Sequence, residues 1–267
     1  MIRSHFGLDE NPFLGHNIQL LPHQQEVFDT LRVHCQQGGL CLLVGEPGTG
    51  KSLIKQQLAC HDDKRLIVPV LNRTLHTYHS ILRILCEAFQ LDTDGRDFRC
   101  ESRLVEQAHK LNHQGKMLAP VIDDAHLMET EALRRIRLLL EDFPKNHNLV
   151  LVAQPLLLHK LSLTVNEDIK SRVTYSVQLP KLAPDDMQDF ILGQLDRVAL
   201  AHNTFTPDAL GLIVRSCEGI LRRARNLCIA SLLEAVRDRT RNVELKQVNR
   251  VLMQPHWRND PDLLQGT

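Results

Sequence analysis

One junction constrains this chain more than any other. The apolar run GLCLLV (39–44) passes directly into GEPGTGKS, and the amphipathic pattern SLIKQQLAC follows. Gly45, Glu46, Pro47, Gly48, Thr49, Gly50, Lys51 and Ser52 fit the pattern G-x-x-x-x-G-K-[ST] in the strand-to-helix context that gives it meaning. The glycines let the backbone wrap closely with torsions that side chains forbid. Backbone N–H groups and a helix N-terminus supply positive potential. Lys51 can then bridge the β- and γ-phosphates of a nucleotide, and the Ser52 hydroxyl can hold Mg2+. The plain alternative is a glycine-rich turn with a chance lysine.

Four more apolar runs follow: LIVPVL (66–71), MLAPVI (117–122), LVLVA (149–153) and TYSVQL (174–179), with helical patterns such as HSILRILCEAF and ETEALRRIRLLLEDF between them. Strands apolar on both faces, alternating with helices, predict a five-stranded parallel sheet covered on both sides. Pro69 and Pro120 fit poorly in central strands and are expected near strand starts or at a bulge. After LPKLAPDD the strands stop, and helices are predicted at 185–201, 206–217, 221–238 and 244–254, with Thr206 capping the second and Pro207 at its first position. The expected organisation is an α/β domain over 1–181, a small all-α lid over 182–255 and a tail over 256–267. In that tail Trp257, the sole tryptophan, stands beside Arg258, as a docking anchor or as packing on the lid.

Bulk composition excludes several classes. Lys plus Arg equals Asp plus Glu, 32 each, so bulk charge does not drive nucleic-acid coating. Seven cysteines with no CxxC pair argue against a disulfide framework and for a reducing cytoplasm. His76 and His79 in HTYH are the nearest approach to a metal pattern and read as a helix start. There is no apolar signal region, and the longest apolar run, LVLVAQPLLL, is too short to cross a membrane and is broken at Gln154-Pro155.

MLAPVIDDAHLM (Met117–Met128) carries an apolar strand to its end and then sets two like charges side by side. A Mg2+ on phosphates calls for a carboxylate presented from a neighbouring strand tip, the place of Asp123. The next residue, Asp124, then faces the γ-phosphate and can polarise an attacking water. The plain alternative is a pair of acids that cap the following helix.

With these residues in place the chain resembles the AAA+ ATPases, and more narrowly the branch holding the ExeA/GspA secretion ATPases and the transposition-helper ATPases of the TnsC, TniB and MuB kind. The stretches that carry the resemblance are FGLDENPF (Phe6–Phe13), LPHQQEVFDTL (Leu21–Leu31), LVLVAQPLLLHKL, similar to a sensor-1 strand, and GILRRARNLC (Gly219–Cys228), similar to a sensor-2 segment. It spans about residues 6–254 and implies a P-loop NTPase fold with a lid, binding of ATP and Mg2+, and ATP hydrolysis. It also implies roles for single residues. Gln154 would hold the attacking water or sense the γ-phosphate, against a strand-end turn. Arg222 would reach from the lid toward the phosphates, with Arg223 and Arg225 as neighbours. Arg172 would enter an adjoining subunit's site as a finger, with Lys170 as runner-up; its plain alternative is a salt bridge to Glu167 or Asp168. Position 124 holds Asp where the family usually has Glu, so the carboxylate sits further from the water. A misplacement of ~1 Å can cost roughly 10²-fold, which predicts slow hydrolysis, suited to a switch. Leu221 replaces the family's proline in GIPR.

Two functions compete. The first is a transposition regulator that assembles as a ring or helical filament on double-stranded DNA and recruits or activates a transposase or target-selection protein. The second is a secretion-assembly ATPase acting on protein partners. The absence of a membrane segment after the lid tilts the expectation to the first, and a sensor ATPase that binds only protein is a third class. DNA contact is expected from local basic groups: Arg73, Thr74 and Thr77; Arg134, Arg135 and Arg137; and the arginine-rich lid from Gly219 to Arg250. Each patch alone also reads as a salt-bridged face, Glu131 and Arg135 being spaced i, i+4. Repetition along one duplex would add weak contacts together.

Overall fold

The computed structural model describes residues 1–13, 19–60, 65–72 and 77–257. After a short helix α1 (Ile2–Phe6) the chain runs α2 (Pro22–Cys35), β1 (Gly39–Gly45), α3 (Lys51–Cys60), β2 (Leu66–Ile67), β3 (Val70–Leu71), α4 (Tyr78–Ala88), α5 (Asp97–His113), β4 (Met117–Leu118) and β5 (Val121–Ile122). It continues with α6 (Thr130–Glu141), β6 (Asn148–Ala153), α7 (Leu156–Ser162), α8 (Glu167–Lys170) and β7 (Val173–Leu179). Four helices follow: α9 (Pro184–Asp196), α10 (Pro207–Ser216), α11 (Leu221–Arg237) and α12 (Leu245–Leu252).

These residues divide into two compact units. The α/β unit comprises Leu20–Glu46 and Gly50–Pro180; the helical unit comprises Met1–Gln19, Pro47–Thr49 and Lys181–Thr267. Met1–Gln19, expected within the α/β domain, thus groups with the C-terminal helices. His5 Nε2 bonds the Thr240 carbonyl at 2.8 Å, and Arg225 Nε donates to the Phe13 carbonyl at 2.8 Å.

In the α/β unit five strands form one sheet in the order β3-β5-β6-β1-β7, every pair parallel. The pleat sends alternate residues to opposite faces. Leu40, Leu42, Val44, Ile122 and Leu151 join the core that α4, α5, α6 and α7 cover, through residues such as Ile81, Leu104, Ile136 and Leu157. Cys41, Leu43, Val121, Val150 and Val152 join the second core, closed by Phe28 and Leu31 of α2 and Ile54 and Leu58 of α3. A fully buried Leu or Ile contributes about 1.5–3 kcal/mol, so both faces of the sheet are held. At the edge, β7 alternates half-buried with exposed positions.

Two expected strands are interrupted. LIVPVL and MLAPVI each break at their proline into two-residue pieces, and β2 pairs with β4 as a separate ribbon while β3 and β5 stay in the main sheet. Pro69 and Pro120 have no N–H to give the ladder, yet both carbonyls serve: Val121 N donates to Pro69 O and Val150 N to Pro120 O, each at 2.9 Å. Parallel pairing therefore survives on either side of each proline.

In the helical unit Thr206 caps α10 by accepting from Ala209 N at 3.3 Å, with Pro207 opening the helix. Glu234 is buried on α11, with its charge met by Arg237 and by Arg250, the latter at 2.8 Å. The seven cysteines are free thiols.

Entry to β1 depends on Gly38. Its φ is +82°, and a Cβ there would lie 1.9 Å from the Lys145 carbonyl oxygen. Gly38→Ala is expected to destabilise the α/β unit by about 2 kcal/mol or more, read as a lower denaturant midpoint at unchanged m-value.

Candidate functional site

Strand β1 ends at Gly45, and α3 begins at Lys51. Between them Gly48 and Gly50 have φ of +90° and +105°, torsions that a side chain disfavours. Lys51 Nζ donates to the carbonyls of Gly45 at 2.6 Å and Glu46 at 2.9 Å, so the ammonium lies along the loop backbone. The first turn of α3 carries no acidic residue to oppose an anion. Pro47–Thr49 belongs to the helical unit, where Arg222 N donates to Gly48 O at 3.2 Å. A Cβ on Gly48 would stand 2.7 Å from Arg222 Cβ, so glycine is required there for close packing as well as for torsion.

Because β5, β6 and β1 are parallel neighbours, the residues after them gather at one edge of the sheet. Asp123 follows β5 and Gln154 follows β6. The two acids behave differently there. Asp123 Oδ2 pairs with Lys55 Nζ at 2.5 Å, and Lys55 also donates to Asn72 Oδ1 at 2.5 Å, from the residue after β3. Asp123 Oδ1 accepts the Asp124 N–H at 2.9 Å. Asp124 itself is left-handed, φ 51° and ψ 33°, with its side chain 57 % exposed. Asp tolerates that conformation better than most residues. One carboxylate is clamped and the other projects, which relieves the repulsion between adjacent like charges.

Behind Asp124 lies His126, in a short 3-10 turn over Ala125–Leu127. Its ring is buried, its Nδ1 stands 4.0 Å from Asp124 Oδ1, and the backbone N–H of Gln154 donates to that same Nδ1 at 3.4 Å. Lys160 Nζ fixes the turn by donating to the carbonyls of His126 at 2.6 Å and Met128 at 3.2 Å.

Arg172 immediately precedes edge strand β7 and is 60 % exposed, paired with Glu141 at 3.0 Å. Its partner is thus neither Glu167 nor Asp168, which pair with Lys170 and Arg134. The basic residues considered for DNA are largely engaged within the chain. Arg134 meets Asp168 at 2.9 Å and Glu131 at 3.1 Å, so Glu131 pairs at i, i+3 and not with Arg135. The Arg134 guanidinium holds the Asp168 carboxyl below its ordinary range. Arg135 lies 3.8 Å over the Tyr78 ring and near Asp97 and Glu101, while Arg137 binds Glu141 at 2.8 Å. Thr77 is the cap of α4 and accepts from Ser80 N. Arg73 and Thr74, with His76 and Arg258, lie outside the described residues. On α11 and α12, Arg223 pairs with Glu218 and Arg250 with Glu234 and Asp238. Arg225 is pushed below its usual range, first by burial and then by the charges of Arg197 and Arg222.

The available donors fit a magnesium ion carried on nucleotide phosphates. Ser52 and Asp123 offer one hydroxyl and one carboxylate, the hard oxygen donors that would hold such an ion alongside phosphate and water, with Asp123 here paired to Lys55. Among the described residues no group of three or more His, Cys, Asp or Glu gathers to hold a metal unaided. Lys55, Asn72 and His126 were not singled out from the sequence. Lys55 lies one turn beyond Ser52, and that spacing was the available signal.

A family model described as AAA domain matches residues 33–161. The chain is 29% identical over 250 residues to General secretion pathway protein A of Aeromonas hydrophila, covering 88% of this chain and 45% of that protein. It therefore spans less than half the length of this relative. Among solved structures, the Aeropyrum pernix ORC2 protein in ADPNP–ADP complexes superposes with TM-score 0.70 at 14% identity, over 92% of this chain and 71% of that one. The A. pernix ORC1 protein in complex with DNA superposes with TM-score 0.67 at 18% identity, over 89% and 67%. A five-stranded parallel sheet flanked by helices, a glycine loop leading from β1 into α3 and strand-end acids at the same edge give this chain the P-loop AAA+ fold.

Proposed function

We propose that this chain is an ATP-hydrolysing switch whose nucleotide state governs its assembly with partners. One contact supports this above all: the 2.5 Å pairing of Lys55 with Asp123, which brings the helix that follows the glycine loop against the tip of β5. The residues proposed to bind phosphate and those proposed to hold metal are thereby neighbours. In this reading Lys51 and the loop amides bind the phosphates, and Ser52 and Asp123 hold Mg2+, which supplies charge neutralisation when bound. Asp124 accepts a proton from water, Gln154 orients that water, and Arg222 senses the phosphates. Arg172, exposed before the edge strand, serves a neighbouring copy, so hydrolysis depends on a ring or filament. The short Asp124 side chain keeps turnover slow.

For the partner, the 29% identity to General secretion pathway protein A favours assembly on protein, in the manner of a secretion-assembly ATPase. The engagement of Arg134, Arg135 and Arg137 in ion pairs points the same way, because offering them to DNA would break those pairs. A second reading, a transposition regulator on duplex DNA that recruits a transposase or target-selection protein, draws on the helical unit. There, among the described residues, Arg222, Arg239 and Arg241 have no ion-pair partner, and Arg197 and Arg222 raise the potential around Arg225. Binding of that kind would be sequence-independent and weaken with salt.

Calorimetry on the purified chain should show uptake of adenine nucleotide, weakened at least about 100-fold in Lys51→Ala, a loss of roughly 2.7 kcal/mol. No uptake by the unaltered protein would end the reading. Labelled duplex DNA at low salt separates the partners: retention that requires a non-hydrolysable ATP analogue selects the DNA reading, and no retention leaves the protein one. Asp124→Glu is expected to raise turnover several-fold, since the added methylene returns the carboxylate by ~1 Å; unchanged turnover would assign the water to another group. Arg172→Ala should retain nucleotide binding and lose hydrolysis by roughly 10³-fold. Activity should return on mixing with Lys51→Ala protein, which still offers Arg172, and failure to return would place that arginine outside the shared site.

A further inference from the structure

We propose that His126 is a positioning residue that couples the backbone at Gln154, the end of β6, to Asp124, so that the strand end carrying one group meant to place the attacking water and the carboxylate that is the other act together. This rests on the hydrolytic reading above and assigns a role to a side chain that none of the expected site residues covers.

One nitrogen faces both groups. The backbone N–H of Gln154 donates to His126 Nδ1 at 3.4 Å, and Asp124 Oδ1 lies 4.0 Å from the same atom. A ring nitrogen holds either a lone pair or a proton. With the lone pair, Nδ1 accepts from Gln154, the ring proton sits on Nε2, and the Asp124 carboxylate receives nothing from the ring and projects toward solvent. With the proton on Nδ1, the ring would draw Asp124 inward and the Gln154 N–H would lose its acceptor. The two contacts exclude each other, so the position of the backbone that carries the Gln154 side chain and that of the Asp124 carboxylate are linked.

The surroundings fix the ring for this purpose. His126 is 4 % exposed, and the turn that carries it packs against β6 and α7. Lys160, from α7, ties down the carbonyls on either side of Leu127, and the Lys160 carbonyl in turn accepts from Asn166 Nδ2 at 2.7 Å. A buried imidazole costs desolvation that an apolar side chain of similar size would avoid. Among its contacts the imidazole supplies an acceptor for the Gln154 backbone N–H beside the projecting acid. Leucine in its place would leave that N–H unpaired.

The test uses the full chain with ATP and Mg2+ and three substitutions. Asparagine places an acceptor near the Nδ1 position, glutamine places its polar atoms near Nε2, and alanine removes both. His126→Ala and His126→Gln should lower kcat by about 10- to 100-fold, the penalty for small misplacements, while the calorimetric Kd for nucleotide stays within twofold. His126→Asn should keep most of kcat. In an Asp124→Ala background, His126→Ala should have little further effect. Independently of turnover, 15N NMR of labelled imidazoles, with His126 assigned by the signal missing in His126→Asn, should place its proton on Nε2. The proposal is overturned if His126→Ala turns over like the unaltered chain, if asparagine is as damaging as alanine, if Kd weakens in step with kcat, or if the proton is on Nδ1. Should alanine prevent folding, the asparagine–glutamine contrast and the tautomer still decide. Failure of the unaltered chain to bind nucleotide would instead remove the underlying reading.

Discussion

Strand β1 has no wet side. Leu40, Leu42 and Val44 enter one core and Cys41 and Leu43 the other, so every group on the strand is committed to packing. Chemistry on such a strand is confined to its ends. Parallel neighbours on one side, β6 and then β5, bring the residues after each to the same edge, and that edge collects Gly45 and Glu46 at the entry to the glycine loop, Gln154 and the acid pair. The burial that stabilises the sheet is thus the constraint that gathers the site. Substitutions in either core are expected to act on the site through strand position before they act through any direct contact.

Much of this was written in local sequence. Gly45–Ser52 carries its own conformation, because Gly48 and Gly50 sit where side chains are disfavoured and because a strand and a helix flank them. The ends of β5 and β6 were legible because an apolar run stops where a charge or a proline begins. The prolines show the limit. Their effect was foreseen as an irregularity, but how β2 and β4 peel into a separate ribbon depends on which carbonyls remain usable across strands, a relation distant in sequence. Lys55, Asn72 and His126 were missed for the same reason. Each is unremarkable in its own neighbourhood and gains meaning from residues 68, 17 and 28 positions away.

The arginines carry a related lesson about charge. A run such as RRIR reads as a basic patch, but its potential depends on which acids the fold returns to it. Arg134, Arg135 and Arg137 meet Glu131, Asp168, Asp97, Glu101 and Glu141, and only two of those acids share their helix. Such exposed pairs contribute about 0–1 kcal/mol each to stability, yet they compete with any phosphate brought to the same surface. Arg172 draws on the same set through Glu141. Its release toward a neighbouring copy would leave Glu141 with Arg137, so the exchange leaves no bare charge behind.

The acid pair shows why two like charges can stand at one strand end. At 4 Å two unit charges near a surface repel by about 4 kcal/mol, and the cost falls when one is neutralised and the other faces water. Lys55 does the first for Asp123, and the left-handed backbone at residue 124 does the second. The same torsion bears on the choice of Asp over Glu. A short carboxylate is better tolerated at φ 51°, and it reaches less far toward a water. Backbone comfort and the reach that the proposed role calls for therefore pull in opposite directions at this position. Under the hydrolytic role proposed for Asp124, a chain that settles on Asp would gain an easily adopted turn at the cost of turnover, a balance that suits a timed switch better than a motor.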